Sequence, residues 1–334
     1  MTDSVLFLGG TGIISHSCVR QAVAAGWKVT ALCRGRSKLR SLPPEVEPIH
    51  ADARGQDAAA LLGRRRFDVV ADFISFTPAH LAHNLDLVGG RAGQYIFIST
   101  AAAYKRSCAL PITESTPLVN PRWRYARDKI ACEEHLTGLI RSEDFPATVV
   151  RPAHTYDPGL APCLFGWTDI ARMRAGKPVI VQGDGTSLWV LTHAADFAKW
   201  FVGLFGDERA LGEAFHITGD QLLTWNQIYL ELARAAGVER PQLVHATSEA
   251  IAEALPGQGP GLLGDRTHSV MFDSSKVRRL SPGFAQEIPF SRGARQIVQF
   301  HDAHPELQEL NSAFDAASDW LAQGAVINWD LAID

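Results

Sequence analysis

Short apolar runs alternate with amphipathic stretches along the first 150 residues. Val5–Leu8 is apolar throughout and ends in Gly9-Gly10; Ser17–Ala25 then has helical spacing and is closed by Gly26. Lys28–Cys33, Val46–His50, Asp68–Ile74, Gln94–Ser99 and Ala147–Val150 read as further strands. Gln56–Leu62, Ala79–Val88 and Arg124–Leu139 read as the helices between them. Strands separated by helical segments predict βαβ units and a parallel sheet. Right-handed crossovers then favour a doubly wound α/β sheet. A barrel of eight repeats is the main rival, but the pattern loses its regularity after residue 155.

From Tyr156 onward Pro, Gly and Trp become frequent and the strands shorten. This predicts a dinucleotide-type domain over 1–155, with a strand near 213–218 returning to its sheet. A smaller lobe over 156–334 would serve mainly for substrate binding. Asn226–Ala236 reads as a helix, and the glycine- and proline-rich 249–264 segment as a flexible, lid-like loop.

At 334 residues, two units fit a prior of about 150 residues per domain. Lys+Arg 32 against Asp+Glu 36 leaves a net charge of −4, which argues against a nucleic-acid or anionic-membrane binder driven by bulk charge. No run reaches the ~18 apolar residues of a membrane helix. The amino terminus lacks the basic region of a secretory signal. The five cysteines (Cys18, Cys33, Cys108, Cys132 and Cys163) form no CxxC pair. They predict buried thiols in a reducing cytoplasm, with neither a disulfide framework nor a metal site.

Candidate chemistry begins at Gly9-Gly10-Thr11-Gly12-Ile13-Ile14-Ser15, between the first strand and a helix. Gly9 permits a tight turn, and Gly12 lets a pyrophosphate approach the backbone. The following amides, from Ile13 and Ile14 on, offer the positive end of a helix to that anion. Ser15 replaces the third glycine, a position that serves helix–strand packing. Where an NAD enzyme carries an acid on the ribose hydroxyls, this chain has Cys33, followed by Arg34 and Arg36. Two guanidinium groups without anionic repulsion suit a ribose 2′-phosphate. The cofactor expected is thus NAD or NADP, with NADP favoured; the other reading has Arg34 stacking on the adenine of NAD. Asp52 can hydrogen-bond the adenine amine or serve as a turn residue.

Tyr125 and Lys129 lie four residues apart and share a helix face. An ammonium beside a phenol stabilises phenolate. That phenolate can take a proton from a substrate hydroxyl as hydride leaves for a nicotinamide. Thr100 follows the fifth strand, where a hydroxyl can donate to the substrate oxygen; Ser99 is the alternative donor.

With GGTGIIS at 9–15, FISTAAAY at 97–104, YARDK at 125–129, VRPAHTYDPG at 150–159, GDGTSLWVLTHAADFA at 183–198 and FHIT at 215–218, the chain resembles the extended or atypical short-chain dehydrogenases/reductases. Its likeness is to the NAD-dependent epimerase/dehydratase branch, with its Rossmann sheet. The resemblance implies Thr100 (or Ser99), Tyr125 and Lys129 as catalytic residues. It also implies Lys129 on the nicotinamide ribose, Pro152 near the nicotinamide, and a homodimer formed through the Tyr125 helix and its neighbour. The expected substrate is a sugar, nucleotide-sugar or related polyol with a secondary alcohol or ketone.

Departures narrow this. Ala101 and Ala102 stand where the family's 4,6-dehydratases carry an Asp-Glu pair, which disfavours that elimination. Trp189 stands where many relatives place an arginine for a substrate diphosphate; it can stack on a base or sugar face instead. His154, just past the sixth strand, is a further substrate-facing candidate. His193 and Asp196 read as fixing a helix start, Arg64-Arg65-Arg66 as a solvated helix end, and His80 and His83 as no metal pair. Three readings stay open: an epimerase, an NADPH-dependent ketoreductase, and a dinucleotide sensor or RNA-associated protein. The last is suggested by likeness to the chloroplast stem-loop-binding branch.

Overall fold

The computed structural model describes residues 3–106, 109–283 and 285–324; Cys108 lies outside them. The chain divides into two compact units. The first comprises Met1–Tyr156, Thr192–Asp220 and Phe272–Glu287, and the second Asp157–Leu191, Gln221–Met271 and Ile288–Asp334. More than one late strand therefore returns to the first unit.

The first unit is a seven-stranded sheet. Its first six strands are β1 (Ser4–Leu8), β2 (Lys28–Cys33), β3 (Glu47–His50), β4 (Phe67–Asp72), β5 (Ala92–Ile98) and β6 (Ala147–Pro152). The returning strand Ala214–Ile217 lies beside β6, and the order across the sheet continues β5, β4, β1, β2, β3. Every pairing is parallel. This is a Rossmann sheet, whose strand order reverses between β1 and β4, the place where such sheets open a crevice at their carboxyl ends.

Successive strand residues point to opposite faces. Val5 and Phe7 join Cys18, Val19 and Ala22 of α1 (Ile13–Ala24) and the aromatics Phe197 and Phe201. Leu6 and Leu8 face the other way, with Leu81, Cys132 and Leu136. The latter belong to α3 (Pro78–Val88) and α4 (Arg124–Glu143); α2 (Ala58–Leu62) adds Ala58 and Leu62. Both faces are covered, so the strands read as continuous apolar runs. Cys18, Cys33, Cys132 and Cys163 are free, buried thiols. At the end of α2, Arg65 forks onto the carbonyls of Leu61 (2.8 Å) and Leu62 (3.1 Å) and pairs with Glu47, a helix end sealed by a cation.

The second unit holds two small ladders. Val179–Gln182 pairs in parallel with Leu243–Ala246, and Leu188–Val190 pairs antiparallel with Leu222–Thr224. The helix Trp225–Ala235 opens on a capping box formed by Thr224 and Gln227. The 249–264 segment is not a loop: Ser248–Ala254 is a helix capped by Thr247, and helical turns continue through Arg266. The cap and the burial of Ile251 and Leu262 outweigh the weak helix propensity of its glycines and prolines. No helix among the described residues is long and apolar enough to cross a membrane.

Candidate functional site

The site is assembled at the carboxyl edge of the first unit's sheet. Gly9 has φ +87°, and a Cβ there would lie 2.4 Å from Ile74 Cγ2, so only glycine fits the turn. Helix α1 starts at Ile13, four residues earlier than its apolar pattern indicates, with Gly12 as its N-cap. Ser15 explains the early start: its buried hydroxyl accepts from Gly12 N at 2.9 Å. The residue in the third-glycine position therefore caps the helix as well as fitting beneath it. The first-turn amides of Ile13 and Ile14 have no carbonyl four residues back to bind within the helix, which leaves them for an anion. A bare turn that a Cβ would fill, backed by these amides, fits a dinucleotide pyrophosphate.

At the end of β2, Cys33 is buried while Arg34 and Arg36 are exposed on either side of Gly35. Gly35 has φ +63°, and a Cβ there would lie 2.7 Å from His50 Nδ1. The arginines are thus carried on a turn tucked against β3. Asp52 forms its own turn: its carboxylate accepts from Arg54 N at 3.0 Å, and its carbonyl accepts from Gly55 N at 2.8 Å. Of its two readings, this geometry displays the turn residue.

Tyr125 and Lys129 lie in the first turns of α4, as their spacing predicts. The Lys129 ammonium is buried, 6.0 Å from the centre of the Tyr125 ring, and Trp123 packs against that ring at 4.9 Å. Nζ donates to the carbonyls of Ser75 and Ile98, each at 2.6 Å, and lies over the rings of Phe97 (4.8 Å) and Phe76 (5.0 Å). Burial lowers its pKa to about 8, against the opposing fields of Asp72, Cys132 and Glu133. An ammonium has three N–H donors; two carbonyls leave one for a ribose hydroxyl or the phenol.

The two hydroxyl candidates separate clearly. Ser99 donates to Glu133, a carboxylate already held by Arg151 at 2.6 Å, so it belongs to a structural ion pair. Thr100 caps the short turn Ala101–Ala103, accepting from Ala102 N at 3.2 Å. Accepting leaves its own proton to donate, the role expected of the substrate-orienting hydroxyl. Ala101 and Ala102 are buried and bring no acid to the site. Pro152 closes β6, and His154, two residues on, has φ +32°, an uncommon conformation for a residue with a Cβ.

Trp189 is placed differently from the expectation that it stacks on substrate. It is 2% exposed and packs on Trp225 at 5.2 Å within the second unit. Trp225 opens an amphipathic helix whose buried face also carries Ile228, Tyr229 and Leu232, and burying the indole against it takes precedence over presenting it. His193 N-caps the helix Ala194–Val202 through Nδ1, and the His83 ring is bonded to the carbonyl of Ala53 at 2.8 Å.

The sequence reading passed over two buried polar clusters. In the first, Asp72 at the end of β4 accepts from Ile74 N (2.9 Å), Ser75 N (3.0 Å), Ser75 Oγ (2.5 Å), Asn84 Nδ2 (3.1 Å) and Tyr95 Oη (2.5 Å). The second is directional. Arg151 grips Glu133 and donates to Tyr104 Oη at 3.0 Å. Tyr104 donates to His216 Nδ1 at 3.1 Å, and His216 Nε2 donates to the carbonyl of Asp273 at 2.8 Å. The direction follows from a neutral imidazole: burial lowers the His216 pKa, outweighing the nearby Glu114, and with the one ring proton on Nε2 toward the Asp273 carbonyl, Nδ1 can only accept. An acid at a strand end and an Arg–Glu pair far apart in the chain leave no local signal.

Comparison with known proteins gives the family and the fold. The chain is 28% identical over 256 residues to the chloroplast stem-loop binding protein of 41 kDa b from Arabidopsis thaliana, covering 72% of this chain and 65% of that protein. It is also 28% identical to 2'-dehydrokanamycin reductase from Streptomyces kanamyceticus, covering 85% of this chain and 81% of that one. An epimerase structure from Methanothermobacter thermautotrophicus superposes with a TM-score of 0.77 at 14% identity, over 92% of this chain and 94% of that one, which speaks for the fold. The pattern of the NAD dependent epimerase/dehydratase family matches residues 5–217, the span from β1 to the returning strand, and the chain belongs to that family of enzymes.

Proposed function

We propose that this protein is an NAD(P)-dependent oxidoreductase acting on a secondary alcohol or ketone of a sugar, nucleotide-sugar or related polyol ring, with epimerisation as its net reaction. The observation that carries the reading is the Tyr125–Lys129 pair: a partly exposed phenol beside an ammonium anchored on the Ser75 and Ile98 carbonyls. Gly9, Gly12, Ile13 and Ile14 would hold the cofactor's pyrophosphate, Arg34 its adenosine end, and Lys129 with Pro152 its nicotinamide end. When bound, the dinucleotide supplies a hydride acceptor or donor.

The chain's own groups handle the proton. Lys129 favours the phenolate of Tyr125, which takes the proton from the substrate hydroxyl or returns it to a carbonyl oxygen. Thr100 donates to the same oxygen and fixes its direction. Phe76 and Phe97 cover the lysine and limit its contact with water. His154, at the carboxyl end of β6, is a further substrate donor in this reading.

A second reading is favoured by one feature: Cys33 with Arg34 suits the 2′-phosphate of NADPH. Under it the enzyme is a ketoreductase; the Streptomyces relative is likewise named a reductase.

The test incubates the purified enzyme with NADH or NADPH and a panel of keto-sugars and keto-cyclitols, beside Tyr125→Phe. Loss of turnover by about 10²–10⁴-fold with dinucleotide binding retained is expected; a Tyr125→Phe variant of undiminished rate overturns the mechanism. Oxidised dinucleotide retained through purification favours the epimerase, and stoichiometric consumption of NADPH the reductase. RNA binding that falls steeply with salt, without turnover, would replace both by the sensor reading.

A further inference from the structure

Asp72 ends β4, in register with Leu8 at the end of β1, and it is fully buried. All five of its donors are neutral groups: two backbone amides, two hydroxyls and a carboxamide. The residues it folds are those the site depends on. Ile74, held through its amide, closes against Gly9. Ser75, held through its amide and hydroxyl, turns its carbonyl to Lys129. Phe76, next in the chain, lays its ring over the same ammonium.

We propose that Asp72 is a positioning residue for the oxidoreductase chemistry: its carboxylate folds the 73–76 turn that joins the phosphate loop to Lys129, and its negative charge holds the Lys129 ammonium in its charged form. The proposal rests on the reading of Tyr125 and Lys129 given above. The groups that face Lys129 are Asp72 from β4, His80 from α3, and Tyr125, Cys132 and Glu133 from α4 itself. Glu133 is neutralised by Arg151 at 2.6 Å, and Cys132 is a buried thiol whose pKa burial raises to about 12. Asp72 is therefore the facing anion without a cationic hydrogen-bond partner. Its field acts to raise the lysine pKa, against the burial that lowers it.

The carboxylate is also chemically specific. Its Oδ2 receives three donors, and an amide nitrogen in that place would confront them with a fourth. Asp72→Asn therefore removes the charge and disturbs the turn, whereas Tyr95→Phe removes one donor and keeps the charge.

The experiment is a ¹⁵N NMR titration of the Lys129 Nζ, assigned through Lys129→Arg, in the full chain without substrate. The wild type is expected to titrate near pH 8. Asp72→Asn is expected to lower that midpoint by about one unit, a tenfold change in dissociation constant, and to weaken NADPH binding about fivefold. Tyr95→Phe is expected to leave the midpoint in place. An unmoved midpoint in folded Asp72→Asn overturns the proposal. Should that variant fail to fold, Tyr95→Phe carries the test through amide exchange at Ile74 and Ser75, with about fivefold acceleration expected and no acceleration overturning it. Because the titration needs no turnover, a failure of NAD(P) chemistry in the wild type leaves this result separately readable.

Discussion

Two buried polar clusters flank the same lysine at the carboxyl edge of one sheet, and they are built on opposite principles. Around Arg151, positive and negative charge cancel: the guanidinium grips Glu133, and neutral Tyr104 and His216 extend the network. Around Asp72 a single negative charge is held by neutral donors alone. The self-neutralising cluster chiefly positions: it fixes β6 to α4 and the returning strand and takes Ser99 out of the site, and the field of its Glu133 on the lysine ranks below that of Asp72. The uncompensated one projects a field as well, and the lysine feels it. Similar burial therefore performs different work according to whether charge is balanced inside the cluster.

Breaking the neutral cluster should have the largest effect. Arg151→Met strands Glu133 in the interior, and loss of one partner of a buried pair costs about 3–5 kcal/mol. Denaturant unfolding is expected to show that loss, with Glu133→Gln added to Arg151→Met recovering part of it.

Removing the lysine should act in the reverse direction. Its pKa is lowered from 10.5 to about 8, so the stability it contributes is complete above pH 10.5 and is lost as pH falls through 8. At neutral pH the buried ammonium is thus a burden on the order of 3 kcal/mol. Lys129→Met is expected to abolish turnover and, lacking this titration, to gain stability relative to wild type as pH falls from 10.5 to 8, even though it strands the Ser75 and Ile98 carbonyls; unfolding curves with the same pH dependence for both would refute this account of the site.

Tyr104→Phe removes the hydroxyl between Arg151 and His216 and should cost about 1–2 kcal/mol, read by the same unfolding curves. The smallest effect concerns acid. Burial lowers the His216 pKa from its ordinary 6.5, so its contribution is complete above 6.5 and is lost as pH falls through the folded value. Wild type is expected to lose stability below pH 6.5 more steeply than His216→Asn, by less than about 1.4 kcal/mol per pH unit.

Local features could be read in the chain. The glycine turn and the Tyr125–Lys129 spacing need only a strand end and one helical turn, and both lie where the alternation of runs puts them. The start of α1 was displaced because Ser15, read for its size, acts through its hydroxyl. Ser99 and Thr100 are equivalent by position; the choice between them comes from Glu133, thirty-four residues away. Trp189 offered a flat aromatic face on paper, and its burial against Trp225 withdraws it. The 249–264 segment looked loop-like from its glycines and prolines, but a Thr247 cap and buried Ile251 make it helical.

By itself the sequence determined the parallel α/β sheet, the glycine turn after β1 and the shared helix face of Tyr125 and Lys129 on α4, because each rests on periodicity or on spacing within a few residues. Only the tertiary structure decided which hydroxyl is bound to a carboxylate, which tryptophan is core, and that Asp72 is set against Lys129. Those outcomes depend on burial and on hydrogen-bond partners brought from distant segments, and the strength of a charge or a donor is set by the groups that surround it.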